Sequence, residues 1–464
     1  MTSRSIGFGR RFTIPLYLGI ALNPINSSMI AIALVSIRQE LGLTAAEVAA
    51  LVSWSYLASA VAQPTMGKLS IRYGARRVFV WGAVIVLAGG ILGSIGRDVA
   101  TLLGSRLLLG VGTAAAFPTS MALIRQRADS LGVEVPGRVL GGLAIAAQAT
   151  IAIGLLVGGL LVTAFGWRSV FWANIPLSLI CIWLTLRGVP ADAQDDRGTA
   201  PRPSLDIPGV ILFAGATTAL LVFLGDLSAP SWWLFGASLA LGALLVFREL
   251  HTPQPLVDFR MLRSNIPLCR TYARNFMTFA VIYTVLYGFS QWLEETRGLA
   301  AAAVGLLQAP RSVVAIALSA VVSRYRNLRT PLVVSAASIV ASGCLLLLID
   351  DTTPVVILVA VIILFGATSG LGPPVIQIST YRQSPAHDIA VASGLLRTST
   401  YVGAIFSASL VALTFGEQTS NAGLHALAWV FVAVGSLLVI DALLDKDLRR
   451  PPGKIPDDRE PGID

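Results

Sequence analysis

Apolar segments long enough to cross a bilayer recur along almost the whole chain, and that recurrence constrains the fold more than any other feature. A spanning helix needs about 20 predominantly apolar residues. Fourteen windows qualify, at residues 12–37, 46–66, 78–96, 101–123, 138–164, 168–187, 207–226, 231–248, 268–293, 299–322, 330–349, 353–378, 388–416 and 424–442. Charged residues make up only 13% of the 464, against about 25% in an ordinary soluble chain. The expected fold class is an all-α integral membrane protein whose partner is the lipid bilayer.

Orientation follows from the basic stretch Gly67–Arg77, where Lys68, Arg72, Arg76 and Arg77 sit between two apolar windows. Four cations cannot enter hydrocarbon cheaply, so this stretch is expected on the cytoplasmic face. Of the 34 Lys and Arg, 27 then fall on that side, four on the other (Arg38, Arg97, Arg168, Arg297) and three within spans. The net charge of +9 is therefore read as membrane topology, with no nucleic-acid partner. An even number of spans places both termini in the cytoplasm of a multi-pass cell-membrane protein. The first apolar run is too long for a cleavable signal and reads as a span.

Enzyme chemistry finds no footing. Histidines 251, 387 and 425 are scattered, and Cys181, Cys269 and Cys344 stand singly in or beside apolar segments, a pattern of neither metal ligands nor disulfides. No metal or cofactor is expected. The polar, proline-bearing segment 189–205 reads as a cytoplasmic linker. It divides a six-helix bundle at 1–188 from two inserted spans at 206–250 and a second six-helix bundle at 251–445, with a cytoplasmic tail at 446–464. A faint repeat supports two related bundles: Arg72-Tyr73 followed by Arg77 recurs as Arg324-Tyr325 followed by Arg329.

Several motifs resemble the major facilitator superfamily, and its fourteen-span drug:proton antiporter branch in particular. Gly67, Leu69, Arg72, Gly74 and Arg76 match that superfamily's GxLxDRxGRR motif, with Ile71 at the acidic position. Arg106 followed by Gly110 is similar to its span-4 motif. Gly154, Gly158 and Gly159 fit the antiporter GPxxGG motif, with Leu155 for the proline. Gly166-Trp167-Arg168 with Phe171, Asn174 and Pro176 resembles the entry to span 6. Pro255–Arg260, Gly305-Leu306 with Pro310, and Ala392–Leu395 are similar to later parts of the branch. The resemblance implies a major facilitator fold of two six-helix bundles plus two extra helices, a monomer, and export of small amphipathic compounds or drugs by proton-coupled antiport. It implies a gating role for Gly67, Arg72, Gly74, Arg76, Gly154, Gly158 and Gly159. The branch usually carries an acid in span 1, where this chain has Asn26.

Ionisable residues within spans are the default functional candidates. No acid sits mid-span; Arg106, Arg311 and Arg397 do. With the neutral candidates Asn26, Gln63, Gln148, Tyr283 and Tyr287, these arginines form the expected substrate or coupling set. For each neutral residue the competing reading is interhelical hydrogen bonding. For the glycines of 154–159 it is close helix packing. Asp226 and Glu294, at span ends, are the acids to consider for proton binding. Three embedded arginines and no embedded acid also suggest an alternative: an organic-anion exchanger or facilitator with an arginine-lined cavity. A transporter-derived sensor is a further alternative. Pro24, Pro64, Pro118 and Pro373-Pro374 are expected to break their spans and free backbone carbonyls.

Overall fold

The computed structural model describes residues 7–43, 45–192, 206–225, 230–299, 301–322, 327–416, 419–445 and 448. Among these residues the structure is helical, with no strand. The first helices are α1 (Arg10–Leu41), α2 (Ala45–Tyr73), α3 (Ala75–Ile95), α4 (Val99–Ala114), α5 (Ala116–Leu131) and α6 (Gly137–Phe165). Then come α7 (Ser169–Trp172), α8 (Asn174–Gly188), α9 (Ile207–Gly225), α10 (Trp232–His251) and α11 (Phe259–Ser264). After α12 (Ile266–Thr284) a π turn, Val285–Phe289, leads into α13 (Ser290–Glu295). The chain closes with α14 (Ala301–Val322), α15 (Arg329–Leu346), α16 (Val355–Gln383), α17 (Ile389–Phe415) and α18 (Asn421–Leu444).

Twelve of these helical stretches are long and apolar enough to cross a membrane, rather than fourteen. The pairs α4–α5 and α7–α8 and the α12–π–α13 run each count as one. The two long helices outside that set are α2 and α6. Ser53, Ser55, Tyr56, Ser59, Gln63 and Pro64 dilute the apolar run of α2, and within α6 the described side chains are interrupted from residue 148 on. The expected linker beyond residue 192, the tail beyond 448, Asp226 and the repeat at Arg324-Tyr325 lie outside the described residues.

Helices up to α8 pack mainly among themselves, with α1 on α6 and α8 and α3 on α4, while α15 packs on α18 and α14 on α16. The two groups meet where α2 and α5 contact α17 and where α6 contacts α14 and α16. The α9–α10 hairpin lies outside, touching α2 and α17 through α9. Its Trp232, Trp233 and Phe247 are exposed, as suits side chains facing lipid.

Two sequence expectations change here. The basic stretch is not an open loop: α2 runs through Tyr73, and Gly74 alone makes the turn, at φ +96°. Only glycine adopts that conformation without strain. The turn is capped by Asp192, whose Oδ1 and Oδ2 accept from the backbone N–H groups of Arg76 (2.9 Å) and Arg77 (3.0 Å). A carboxylate at a helix N-terminus also complements the helix dipole. Nor do most of the prolines break their helices. Pro24, Pro64 and Pro373-Pro374 sit inside continuous helices, and only the span with Pro118 is interrupted, at Ala115. A proline leaves unbonded the carbonyl four residues earlier, and neighbouring helices supply the missing donors. Thr398 donates to Ala60 O (2.8 Å), freed by Pro64, and Ser319 donates to Gly370 O (3.0 Å), freed by Pro374.

Candidate functional site

A cavity of about 460 Å³ lies between the two groups of helices. Its lining comes from α1, α2, α4, α5 and α6 on one side and from α12, the π turn, α13, α16 and α17 on the other. Along the α12–α13 run, Asn275, Tyr283, Tyr287 and Glu294 all reach it. At about 1.5 Å per residue, the cavity therefore follows most of the length of a span. The π turn helps to hold this pattern, since its extra residue per turn shifts which side chains face inward. Pro24 and Pro373 remove the intrahelical donors for the carbonyls of Ile20 and Ser369, and both of these residues line the cavity.

The walls are aromatic with few charges. Tyr283 and Tyr287 stack at 5.9 Å between ring centroids, and Tyr56 and Tyr401 lie 5.7 Å apart across the two groups. Arg397 places its guanidinium 4.1 Å from the centroid of the Phe117 ring. Among the described residues no carboxylate pairs with it. Asn275 shares the two N–H groups of Nδ2 among Leu396 O (2.9 Å), Ser399 Oγ (2.8 Å) and Thr400 Oγ1 (2.8 Å), which fastens α12 to α17 beside the arginine. Gln63 lines the opposite wall, and its Oε1 is buried without a hydrogen-bond partner among the described residues.

Of the residues singled out in the sequence, Gln63, Tyr283, Tyr287 and Arg397 meet at this cavity; Asn26, Arg106 and Arg311 do not. Asn26 is 7% exposed and turns inward, donating to Asn174 Oδ1 (2.6 Å) and Leu22 O (2.8 Å). It is a bolt between α1 and α8. Arg106 does not snorkel: it is 1% exposed and its Nε donates to Leu51 O (2.8 Å), tying α4 to α2. Arg311 donates to Gln308 Oε1 (3.3 Å), and Gln308 donates to the cavity-lining Ser290. Gln148 lies outside the residues whose side chains are described. Because only one of the three arginines lines the cavity, and Glu294 does too, the expected net-positive interior is not present among the described residues. Sequence reading passed over Asn23, Ser27, Thr113 and Asn275, which also line it. Their signal is a polar side chain on a cavity-facing stripe, visible only once the facing helices are known.

Gly154 and Gly158 allow close helix packing. A Cβ on Gly154 would lie 2.9 Å from Ser28 Cβ, and one on Gly158 would lie 3.0 Å from Met29 Cα, so α6 lies tightly on α1. Gly159 meets nothing closer than 4.0 Å. Arg72 sits 5.2 Å from the centroid of the Tyr73 ring, and Arg76 donates to Leu186 O (2.7 Å).

Contacts between the two groups concentrate at the end bearing residues 67–77. There Gln377 donates to Leu140 O (3.1 Å), Arg125 sits 5.6 Å from the Tyr381 ring centroid, and Lys68 donates to Pro255 O (2.7 Å). A Cβ on Gly67 would lie 2.7 Å from Ala390 O, and one on Gly394 would lie 2.7 Å from Gln63 O. At the opposite end, bonds hold each group to itself. Glu40 accepts from Arg168 (2.6 Å) and Trp167 (2.7 Å), while Arg297 donates to Thr353 O (2.7 Å) and Trp292 to Asn421 (3.1 Å). The Arg168 bond, seconded by Trp167, holds the Glu40 carboxyl below the usual carboxylate range.

Comparison with known proteins agrees with this architecture. The family described as Major Facilitator Superfamily matches residues 16–408. An uncharacterized MFS-type transporter of Bacillus subtilis, YwoD, is 30% identical over 431 residues, covering 92% of this chain and 94% of the relative. The tetracenomycin C resistance and export protein of Streptomyces glaucescens is 28% identical over 426 residues, covering 87% and 75%. Among solved structures, the human organic anion transporter MFSD10 superposes with a TM-score of 0.69 at 12% identity, covering 92% of this chain and 99% of that one. At that identity the likeness speaks for the fold alone.

Proposed function

The chain belongs to the major facilitator superfamily, and on that premise we propose that it exports small amphipathic organic compounds by alternating access, in exchange for protons. One observation carries the reading: a long aromatic-walled cavity between two groups of helices, fastened at the end with residues 67–77. In this reading the fastened end is cytoplasmic, the chain is drawn open to the outside, and substrate leaves past Glu294. Helices α2 and α6, each 29 residues, also cross the bilayer, giving fourteen spans with both termini in the cytoplasm of the cell membrane. The first six spans, the α9–α10 insertion and the last six follow the boundaries at 188, 206, 250 and 445, and one chain suffices. The resistance-and-export function named for the Streptomyces glaucescens relative supports efflux, and the drug:proton antiporter branch is the branch proposed.

Arg397 favours a second reading of the substrate. Arg397 is half-buried at the cavity wall; desolvating an ion without a partner costs several kcal/mol, and its cation–π contact with Phe117 returns about 2 kcal/mol. An organic anion with an aromatic body would complete the site, its charge on Arg397 and its ring among Tyr56, Tyr283, Tyr287 and Tyr401. Reconstituted flux of paired cationic and anionic fluorescent substrates, with and without an imposed pH gradient, tests both readings. Gradient-driven flux is the expected result. Flux of either dye that ignores the gradient removes proton antiport. Transport of the cationic dye alone, unchanged by Arg397→Ala, removes the anion reading.

A further inference from the structure

The α9–α10 hairpin holds a buried carboxylate that the cavity does not use. Glu249, near the end of α10, is 1% exposed, and neither of its oxygens has a hydrogen-bond partner among the described residues. Phe213, Leu245, Leu256 and Val257 form an apolar cluster around this part of the hairpin. The backbone N–H groups of Leu256 and Val257 are the nearest donors to the carboxylate. Asp206, immediately before α9, is 5% exposed. Its Oδ1 accepts from Arg248 Nη2 (2.7 Å) and Gly209 N (3.1 Å), whereas its Oδ2 is buried without a partner. The two acids meet at Gly209, where a Cβ would lie 2.5 Å from both Asp206 Oδ2 and Glu249 Oε1.

We propose that Asp206 and Glu249 form a proton-binding site that takes up one proton and controls the grip of Lys68 at the fastened end. Two carboxylates this close in apolar surroundings cannot both stay ionised cheaply. Arg248 compensates one charge, and a proton removes the other. Lys68 approaches the same corner: its Nζ donates to Pro255 O (2.7 Å), on the connection that carries Leu256 and Val257. Lys68 follows Gly67, one of the two glycines at which the backbones of α2 and α17 press together. An ionised pair attracts Lys68 and holds α2 in place; a protonated pair relaxes that attraction. The other charged groups around this corner are His251 on α10, Asp258 and Arg260 at the start of α11, and His387 and Asp388 ahead of α17. Asp258, His387 and Asp388 share with Lys68 a pocket of about 210 Å³. The proton site stands on geometry alone; its consequence for the helices rests on the alternating-access reading.

The test is infrared difference spectroscopy of the full-length protein in nanodiscs across a pH titration. The expected result is a protonated-carboxyl band that shifts in D₂O, is lost in Glu249→Gln and in Asp206→Asn, and persists in Asp388→Asn. A second readout is maleimide labelling of a cysteine at buried Ser393 on α17, which should depend on pH in the parent and lose that dependence in Glu249→Gln. If Glu249→Gln does not fold, Asp206→Asn carries both measurements. A band undiminished in the variants, or absent from the parent throughout the titration because the pair binds a metal cation or nothing, overturns the proposal. The expected band in a protein that moves no substrate would leave the proton site standing and remove the transporter reading.

Discussion

Gly67→Ala should loosen the fastened end of the bundle. The added Cβ would lie 2.7 Å from Ala390 O and 2.9 Å from Val391 N, both backbone atoms that no side-chain rotation can move away. Ordinary contact begins near 3.4 Å, so α2 and α17 must part by about 0.7 Å. Overpacking of this kind costs about 1–3 kcal/mol. If the two helices separate here in the alternate state, the cost falls on the fastened state alone. A penalty of about 1–3 kcal/mol then shifts the equilibrium roughly 5- to 150-fold toward opening. The assay is the rate at which maleimide labels Ser393→Cys, with Cys181, Cys269 and Cys344 replaced by alanine. Gly394→Ala should act alike, because its Cβ would meet Gln63 O and Pro64 Cα at 2.7 Å. Gly104→Ala should not, because its nearest neighbour, Leu92 Cδ2, is 3.5 Å away. Unchanged labelling in a folded Gly67→Ala protein, or an equal rise in Gly104→Ala, would refute the argument.

Asn26→Asp should destabilise the protein by about 1–3 kcal/mol instead of restoring a span-1 proton site, because a carboxylate would face Asn174 Oδ1 and Leu22 O with no donor. Thermal unfolding decides it, and a variant as stable as its parent counts against the bolt. Arg274, 1% exposed, ties α12 to α18 through Asp441 and Asp445. Arg274→Met should cost about 3–5 kcal/mol, whereas Arg270→Ala, which removes a half-exposed partner of Asp441, should cost less than about 1 kcal/mol; similar losses would contradict the difference in burial. Glu40 is held below the usual carboxylate range by Arg168 and then Trp167. A lowered folded pKa contributes stability above the ordinary glutamate range and loses it as pH falls through the folded value. Glu40→Gln should therefore melt slightly below its parent at neutral pH, by an effect under about 1 kcal/mol, and the gap should close on acidification.

Much of this protein was legible because lipid imposes strong local rules. Long apolar windows read as helices, and the glycines at 154 and 158 read as close packing. Gln63, Tyr283, Tyr287 and Arg397, picked for being polar or charged within such windows, all reach the cavity. The same rule picked Asn26, Arg106 and Arg311, and it could not tell them apart from the others. A polar side chain in a membrane must find a partner or a cavity, and which of the two it finds depends on what stands opposite. For Asn26 that is Asn174, 148 residues away, and for Arg106 it is the carbonyl of Leu51.

The prolines divide the two kinds of information most cleanly. Covalent chemistry makes Pro64 release the carbonyl of Ala60 in any fold, and that much belongs to the chain alone. That the released carbonyl takes its hydrogen bond from Thr398, 338 residues later and across the two groups of helices, belongs to the tertiary structure. Helix formation, membrane affinity and the positions of orphaned backbone groups depend on neighbours in sequence, and these the sequence determined. The partners of buried polar groups, the π turn that aims Tyr287 inward, and the meeting of Asp206 with Glu249 beside Gly209 depend on how distant helices come to lie together, and only the fold decided them.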